Sequence, residues 1–151
     1  MKFALFQGCN IPARVAQYAD ATKAVSRKLD IELVDIAEFN CCGYPARNTD
    51  FRAFVLSAAK NLAVAQNLGL DMLVMCKCCY GTLKKAAHVL DQDQDLKTEI
   101  NGLLAKENLE YQNGIQIHIK STGQVPWFCW RHKKKQINQW IQRINISCKM
   151  A

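Results

Sequence analysis

Two cysteines stand side by side at Cys41-Cys42, directly before Gly43, and three more lie at Cys9, Cys76 and Cys79. An adjacent pair makes a poor structural disulfide, because the small ring it closes strains the intervening peptide. As thiolates, the same two side chains can hold neighbouring atoms of one metal cluster. With Cys9 on one side and the Cys76-x-x-Cys79 knuckle on the other, the chain reads as built to grip something with more than one metal atom in it.

Other chemistries use the same residue types. Structural zinc sites take four thiolates, but usually from two Cys-x-x-Cys knuckles, and here there is one knuckle, one adjacent pair and one single cysteine. A redox dithiol at Cys76 and Cys79 would benefit from a helix start, which favours the thiolate, yet it leaves Cys9, Cys41 and Cys42 without a task. An iron–sulfur cluster takes soft thiolates at uneven spacing, and more than four of them when it is not a simple cube. That is the preferred reading for the five. Cys78 is a spare thiol or an alternative ligand. Free cysteine also packs well in cores, and that plain role suits Cys148. Cys129 and His132 have a zinc-binding spacing but no second ligand pair beside them.

The segments that must position these thiols alternate between strand and helix. Residues 2–8 and 31–36 are short apolar runs of strand type, and residues 70–75 form a third that ends on Cys76. Asn10 is placed to cap a helix with Pro12 in its first turn and an inner face of Val15, Tyr18, Ala19, Thr22, Val25 and Leu29. Residues 37–48 are a loop carrying the cysteine pair. Thr49 or Asp50 then caps a helix whose apolar face is Phe51, Phe54, Val55, Ala58, Leu62 and Ala65, closed by Gly69. A further helix is expected from Cys79 or Gly81 to about Leu90, and another over residues 95–110. After the Asn113-Gly114 turn, Ile115, Ile117 and Ile119 alternate as a strand.

This alternation predicts an α/β domain, with a mostly parallel sheet covered by helices. Ligands of such sheets collect at the carboxyl ends of the strands. Cys9 follows the first strand, Cys41 and Cys42 the second, and Cys76 the third, so the thiols are expected to meet along one sheet edge.

Composition narrows the setting. Half of the 151 residues are apolar and 22% are charged, as in ordinary globular proteins. No run reaches the roughly 18 apolar residues of a membrane helix, and the N-terminus does not read as a signal peptide, so a cytoplasmic location is the default. Thiols stay reduced there, which again favours metal or redox chemistry over disulfides. The net charge of +7 is unevenly spread. Residues 1–120 hold 14 Lys/Arg and 13 Asp/Glu, whereas residues 121–151 hold six Lys/Arg, no acid and all three tryptophans, Trp127, Trp130 and Trp140. Nucleic acid is therefore not expected as a partner on charge alone.

The run Cys9 … Cys41-Cys42-Gly43 … Cys76-x-x-Cys79-Tyr80-Gly81, with Phe6-Gln7-Gly8-Cys9-Asn10-Ile11-Pro12 before it, resembles the cysteine-rich CCG domain of the heterodisulfide reductase family. The likeness covers about residues 2–119 and corresponds to an N-terminal CCG domain alone. It implies a Rossmann-like three-layer α/β fold and one noncubane 4Fe-4S cluster per chain, held by Cys9, Cys41, Cys42, Cys76 and Cys79. The implied activity is that of an oxidoreductase reducing a disulfide to two thiols, coenzyme M with coenzyme B in methanogens, with Cys41 and Cys42 at the reacting centre. Implied partners are other subunits of the same kind of complex, whose iron–sulfur and flavin groups deliver electrons, and a small disulfide or thiol substrate. The alternative is a non-catalytic chain, either a truncated remnant or a zinc-stabilised binding module.

The sequence departs from the family in places. The family's CCG subunit carries two such domains where this chain has one. The interval from Cys42 to Cys76 is slightly short, and Cys78 stands where a small residue is usual. The chain thus divides into a cysteine-rich domain at residues 1–120 and an atypical segment at 121–151 with no family counterpart. This basic segment reads as the product of a truncation or frameshift, or else as an aromatic docking tail around Trp130, Lys133, Lys134 and Lys135.

Overall fold

The computed structural model describes residues 1–119. The basic tail, with the Cys129 and His132 pair and Cys148, lies outside the described residues. The first strand, β1, spans Lys2–Phe6 and is buried from Phe3 onward. After it come α1 at Asn10–Arg14, α2 at Ala16–Lys28 and β2 at Glu32–Asp35. The cysteine-pair loop leads through a one-turn 3₁₀ helix at Tyr44–Ala46 into α3 at Phe51–Asn67. Then follow β3 at Asp71–Val74, α4 at Lys77–Gln92, α5 at Gln94–Leu104 and β4 at Ile117–Ile119. Among the described residues, no helix is long and apolar enough to cross a membrane.

The four strands form one sheet in the order β2-β1-β3-β4, with every pairing parallel. Parallel neighbours need crossover connections, and here the intervening helices supply them. Alternation along β1 and β3 turns Ala4, Phe6, Met72 and Val74 toward the main core, where Phe54, Ala58 and Leu62 of α3 meet Leu83, Ala86 and Leu90 of α4. Phe3, Leu5 and Leu73 are buried on the opposite face. His118 lies on that face too, edge-on to Phe3 at 5.5 Å, and its burial lowers its pKa. The α/β three-layer expectation holds.

Several boundaries differ from the sequence reading, each for a local reason. The first helix is broken at Val15, whose φ of −140° and ψ of 49° leave the helical region. Cys9, not Asn10, occupies the N-cap position of α1. The inner face of α2 is Ala19, Thr22 and Ser26, while Val15 and Val25 are about half exposed. Here the small residues fit against the sheet and the larger valines do not, which periodicity alone does not reveal. Asp50 is the cap of α3, accepting a hydrogen bond from the Ala53 N–H at 2.9 Å, and Gly69 closes the helix with φ +62°. Phe51 is turned outward, 45% exposed, whereas the rest of the expected face is buried. α4 begins at Lys77, earlier than expected, because Cys76 is extended and its carbonyl already accepts from the Tyr80 N–H at 2.9 Å. α5 stops at Leu104, well before residue 110, since Asn108 takes a left-handed conformation after a 3₁₀ turn. Its cap is Asp93, accepting from the Leu96 N–H at 2.9 Å. Ile115 precedes β4 instead of belonging to it.

Tyr111 anchors the chain between α5 and β4. It is 2% exposed, and its backbone is held at both ends by the Asn101 side-chain amide, at 2.9 and 3.1 Å. Burial, with a smaller contribution from Asp91, pushes its phenol from the usual 10 up to about 12. The unfolded chain therefore loses this proton at a lower pH than the folded one, so stability is full below about pH 10 and falls as the pH rises toward 12. Each unit of such a displacement corresponds to roughly 1.4 kcal/mol. A tyrosinate absorbance titration is expected to contain a late step near pH 12 that disappears in Tyr111→Phe. A titration unchanged by that substitution would refute the assignment.

Candidate metal centre

All three thiol-bearing segments leave the sheet at its carboxyl edge. β1 turns through Gly8 into Cys9, the loop after β2 carries Cys41 and Cys42, and β3 passes directly into Cys76 and the start of α4. Parallel pairing of β1 with β2 on one side and β3 on the other sets these exits next to one another. β1 is also where the strand order reverses, the place where open α/β sheets gather ligands.

Two glycines let the segments close. Gly8 has φ +72°, and a Cβ there would stand 2.8 Å from Cys79 Sγ and 3.9 Å from Cys76 Cβ. Only a residue without a side chain lets the β1 exit lie this near the knuckle. Gly43 has φ +86°, and a Cβ on it would meet the Phe54 carbonyl oxygen at 2.7 Å. It seats the cysteine pair directly on α3.

The five thiols predicted from the sequence are brought together. Each thiol acts electrostatically on the next, Cys9 on Cys41, Cys41 on Cys42, Cys42 on Cys79, and Cys79 on Cys76. Burial deepens toward the middle of this series: Cys9 is exposed, Cys41 and Cys76 are half-buried, and Cys42 and Cys79 are 2% and 5% exposed. Cys78 is exposed and stands outside the series. Among the described residues, no three His, Cys, Asp or Glu side chains surround one point as ligands of a single metal ion.

One sulfur is distinctly acidic. The hydrogen bond from the Cys79 thiol, helped by the Tyr44 N–H and opposed by burial, pulls Cys42 down to about 6. The Thr82 hydroxyl also lies against Cys42, although it donates to the Cys78 carbonyl at 2.7 Å and has a single proton to give. Cys79, as the donor, is pushed up by that same bond and by burial. Burial also raises Cys41. Cys42 is thus favoured toward the thiolate, the form in which cysteine binds metal, and Cys79 toward the thiol.

Two residues that sequence reasoning misses hold the cysteine pair in place. On α3, the Ser57 hydroxyl donates to the Cys41 carbonyl at 2.7 Å, and the Asn61 amide donates to it at 3.1 Å. Asn61 also donates to the Asn40 side chain at 2.8 Å and accepts from the Asn40 N–H at 2.9 Å. Asn61 is fully buried. A signal was available: Ser57 and Asn61 are polar residues four apart, interrupting the apolar stretch from Phe54 to Ala65. Of the cations near the site in sequence, Arg47 and Lys77 are not buried.

Comparison with known proteins gives the family. The family described as CCG, cysteine-rich domain, matches residues 3–84. The chain is 31% identical over 121 residues to a subunit of the ferredoxin/F(420)H(2)-dependent CoB-CoM heterodisulfide reductase of Methanosarcina acetivorans, covering 78% of this chain and 40% of that protein. It is 32% identical over 117 residues to the 8-methylmenaquinol:fumarate reductase membrane anchor subunit of Wolinella succinogenes, covering 77% of this chain and 40% of the relative. A crystal structure of a hypothetical protein from Helicobacter pylori shares the fold, with a TM-score of 0.69 at 24% identity over 78% of this chain and 24% of that one. The chain belongs to the cysteine-rich CCG family, as an N-terminal CCG domain of the heterodisulfide reductase kind. It spans about two fifths of the length of the curated relatives it matches.

Proposed function

We propose that this chain is an iron–sulfur redox protein that holds one noncubane 4Fe-4S cluster through Cys9, Cys41, Cys42, Cys76 and Cys79. In this reading it works within a complex that reduces a disulfide to thiols, with Cys41 and Cys42 closest to the reacting sulfur. The observation that carries the proposal is the row of five thiols, each acting on the next, at the carboxyl edge of the sheet in a chain of the CCG family. The donor set fits the group: five soft ligands, two of them buried, and a glycine at each close approach. Five thiols are also more than the four that a structural zinc site takes.

When bound, the cluster would supply one-electron redox chemistry and iron to receive sulfur. The chain's own part is to present Cys42 as a thiolate, to hold the Cys41 carbonyl against α3, and to keep water from Cys42 and Cys79. Disulfide reduction takes two electrons, so a single cluster would need a second one from another copy or a partner protein. The relatives are, by their names, parts of quite different reductases, one of them a membrane anchor, so the partner chains and the substrate are not carried over from either.

Anaerobic reconstitution with iron and sulfide tests the proposal. Wild type is expected to turn brown and to hold about four irons and four acid-labile sulfides per chain. Cys42→Ser should lose most of both and change the EPR signal. A Cys42→Ser protein with the wild-type cluster would show the ligand assignment to be wrong, and a colourless wild type carrying one zinc would favour the binding-module alternative.

A further inference from the structure

Beside the thiols, a cleft of about 470 Å³ opens between the carboxyl ends of β1 and β2 and reaches Cys9 and Cys41. Its volume is in the range of ordinary small-molecule sites. We propose that this cleft binds the uncharged hydrocarbon arm of a small thiol or disulfide, whose sulfur end faces Cys9 and Cys41. The proposal deepens the iron–sulfur reading, on which it rests for the fate of the ligand's sulfur.

The lining decides the class of ligand. Pro12, Ile36 and Phe39 contribute apolar surface, with Leu5 and Phe6 beneath them in the core. Phe39 packs edge-on to Phe6 with ring centroids 5.2 Å apart, which fixes a rigid aromatic wall. Among the described residues, no Lys, Arg or His lines the cleft, and the one charged side chain there is Asp35. Both carboxylate oxygens of Asp35 are engaged, Oδ1 by the Gln7 amide at 2.8 Å and Oδ2 by the Lys23 ammonium. Lys23 is therefore already paired. A sulfonate, phosphate or carboxylate entering here would leave water to meet a like charge with no free cation among the lining residues to receive it. An alkyl or aryl arm would instead exchange water for hydrocarbon contact. Arg47 and Lys77, the cations near the cysteines in sequence, do not line the cleft.

Two thiols of nearly equal reach, 1-butanethiol and 2-mercaptoethanesulfonate, separate the classes. Binding to the full chain is measured by calorimetry, without oxygen and at low salt, in both the iron-loaded and the metal-free states. Wild type is expected to prefer butanethiol by at least tenfold. Phe39→Ala should lose about tenfold of that binding. Asp35→Asn keeps a partner for Gln7 but frees Lys23, so it should tighten sulfonate binding severalfold and leave butanethiol unchanged. Equal or tighter sulfonate binding by wild type overturns the proposal. So does an Asp35→Asn protein, folded by circular dichroism, whose sulfonate binding does not move. Iron counts on the same samples separate the two readings: a loaded cluster without alkyl preference sinks the cleft alone, and alkyl preference in a chain that takes up no cluster sinks the iron–sulfur reading alone.

Discussion

Alanine at Gly43 is expected to unseat the cysteine pair and to produce one of the largest losses of stability available to a single methyl group in this chain. The residue sits at φ +86°, where an L side chain costs roughly 1–2 kcal/mol. The added Cβ would also lie 2.7 Å from the Phe54 carbonyl oxygen and 3.2 Å from Phe54 Cα. Both are helix backbone and Phe54 is fully buried, so the neighbour has little room to give. Overpacking of this kind costs a further ~1–3 kcal/mol. Relief comes most easily by moving the loop, which carries Cys41 and Cys42 away from Cys79. Gly43→Ala should therefore lower the thermal midpoint by many degrees and reduce iron uptake in the refolded fraction. Gly81→Ala is the control: that glycine is exposed within α4 and has nothing within 4 Å of its would-be Cβ. Helix propensity predicts that this second change stabilises by about 0.5–1 kcal/mol. Equal midpoints for the two variants would refute the close-approach account.

Leucine at Asn61 is the second large effect. The side chain is fully buried and connects α3 to the Asn40 N–H, the Asn40 amide and the Cys41 carbonyl. Leucine keeps similar bulk but satisfies none of these groups. A buried polar group left without a partner costs roughly 1–3 kcal/mol. The part-buried Asn40 N–H loses its Asn61 acceptor, while the Cys41 carbonyl keeps its bond from Ser57. A loss of about 1–3 kcal/mol follows for Asn61→Leu, and Ser57→Ala should lose less because Asn61 still holds the same carbonyl. Asn61 touches no thiol sulfur in the contacts described, so it is a positioning residue. Its distinguishing sign is an altered EPR signal of the reconstituted cluster in Asn61→Asp, which keeps the acceptor oxygen but loses the amide donors. An Asn61→Asp protein that binds iron with an unchanged signal would reduce Asn61 to a stability residue.

Much of this architecture is legible in local sequence. The strand at Lys2–Phe6, the Asp50 cap and the Gly69 stop of α3 each follow from short-range rules and stand as expected. The inner face of α2 is where periodicity misleads, because Val15 and Val25 are apolar at helical spacing yet face outward. Hydrophobicity tells which residues can be buried; the sheet surface opposite decides which fit. The start of α4 lies earlier than its sequence suggests for a related reason. Cys76 caps it through an extended backbone and not through a capping side chain, so no residue-type signal marks the boundary.

The sequence by itself determined the chemistry on offer and its address. Five thiols placed just after successive strands of an alternating β/α chain must come to the same sheet edge, because parallel strands all end on the same side. The tertiary structure alone decided which segments bring their thiols together, that Cys42 is more acidic than Cys79, and that Gly43, Ser57 and Asn61 seat the cysteine pair on α3. It also decided that, among the described residues, the lining of the neighbouring cleft offers no free cation. The physical reason is range. Strand periodicity and turn residues act over a few positions, whereas the approaches of Cys9 to Cys41, of Cys42 to Cys79 and of the pair to α3 join residues from 11 to 37 positions apart, whose meeting depends on strand order and packing.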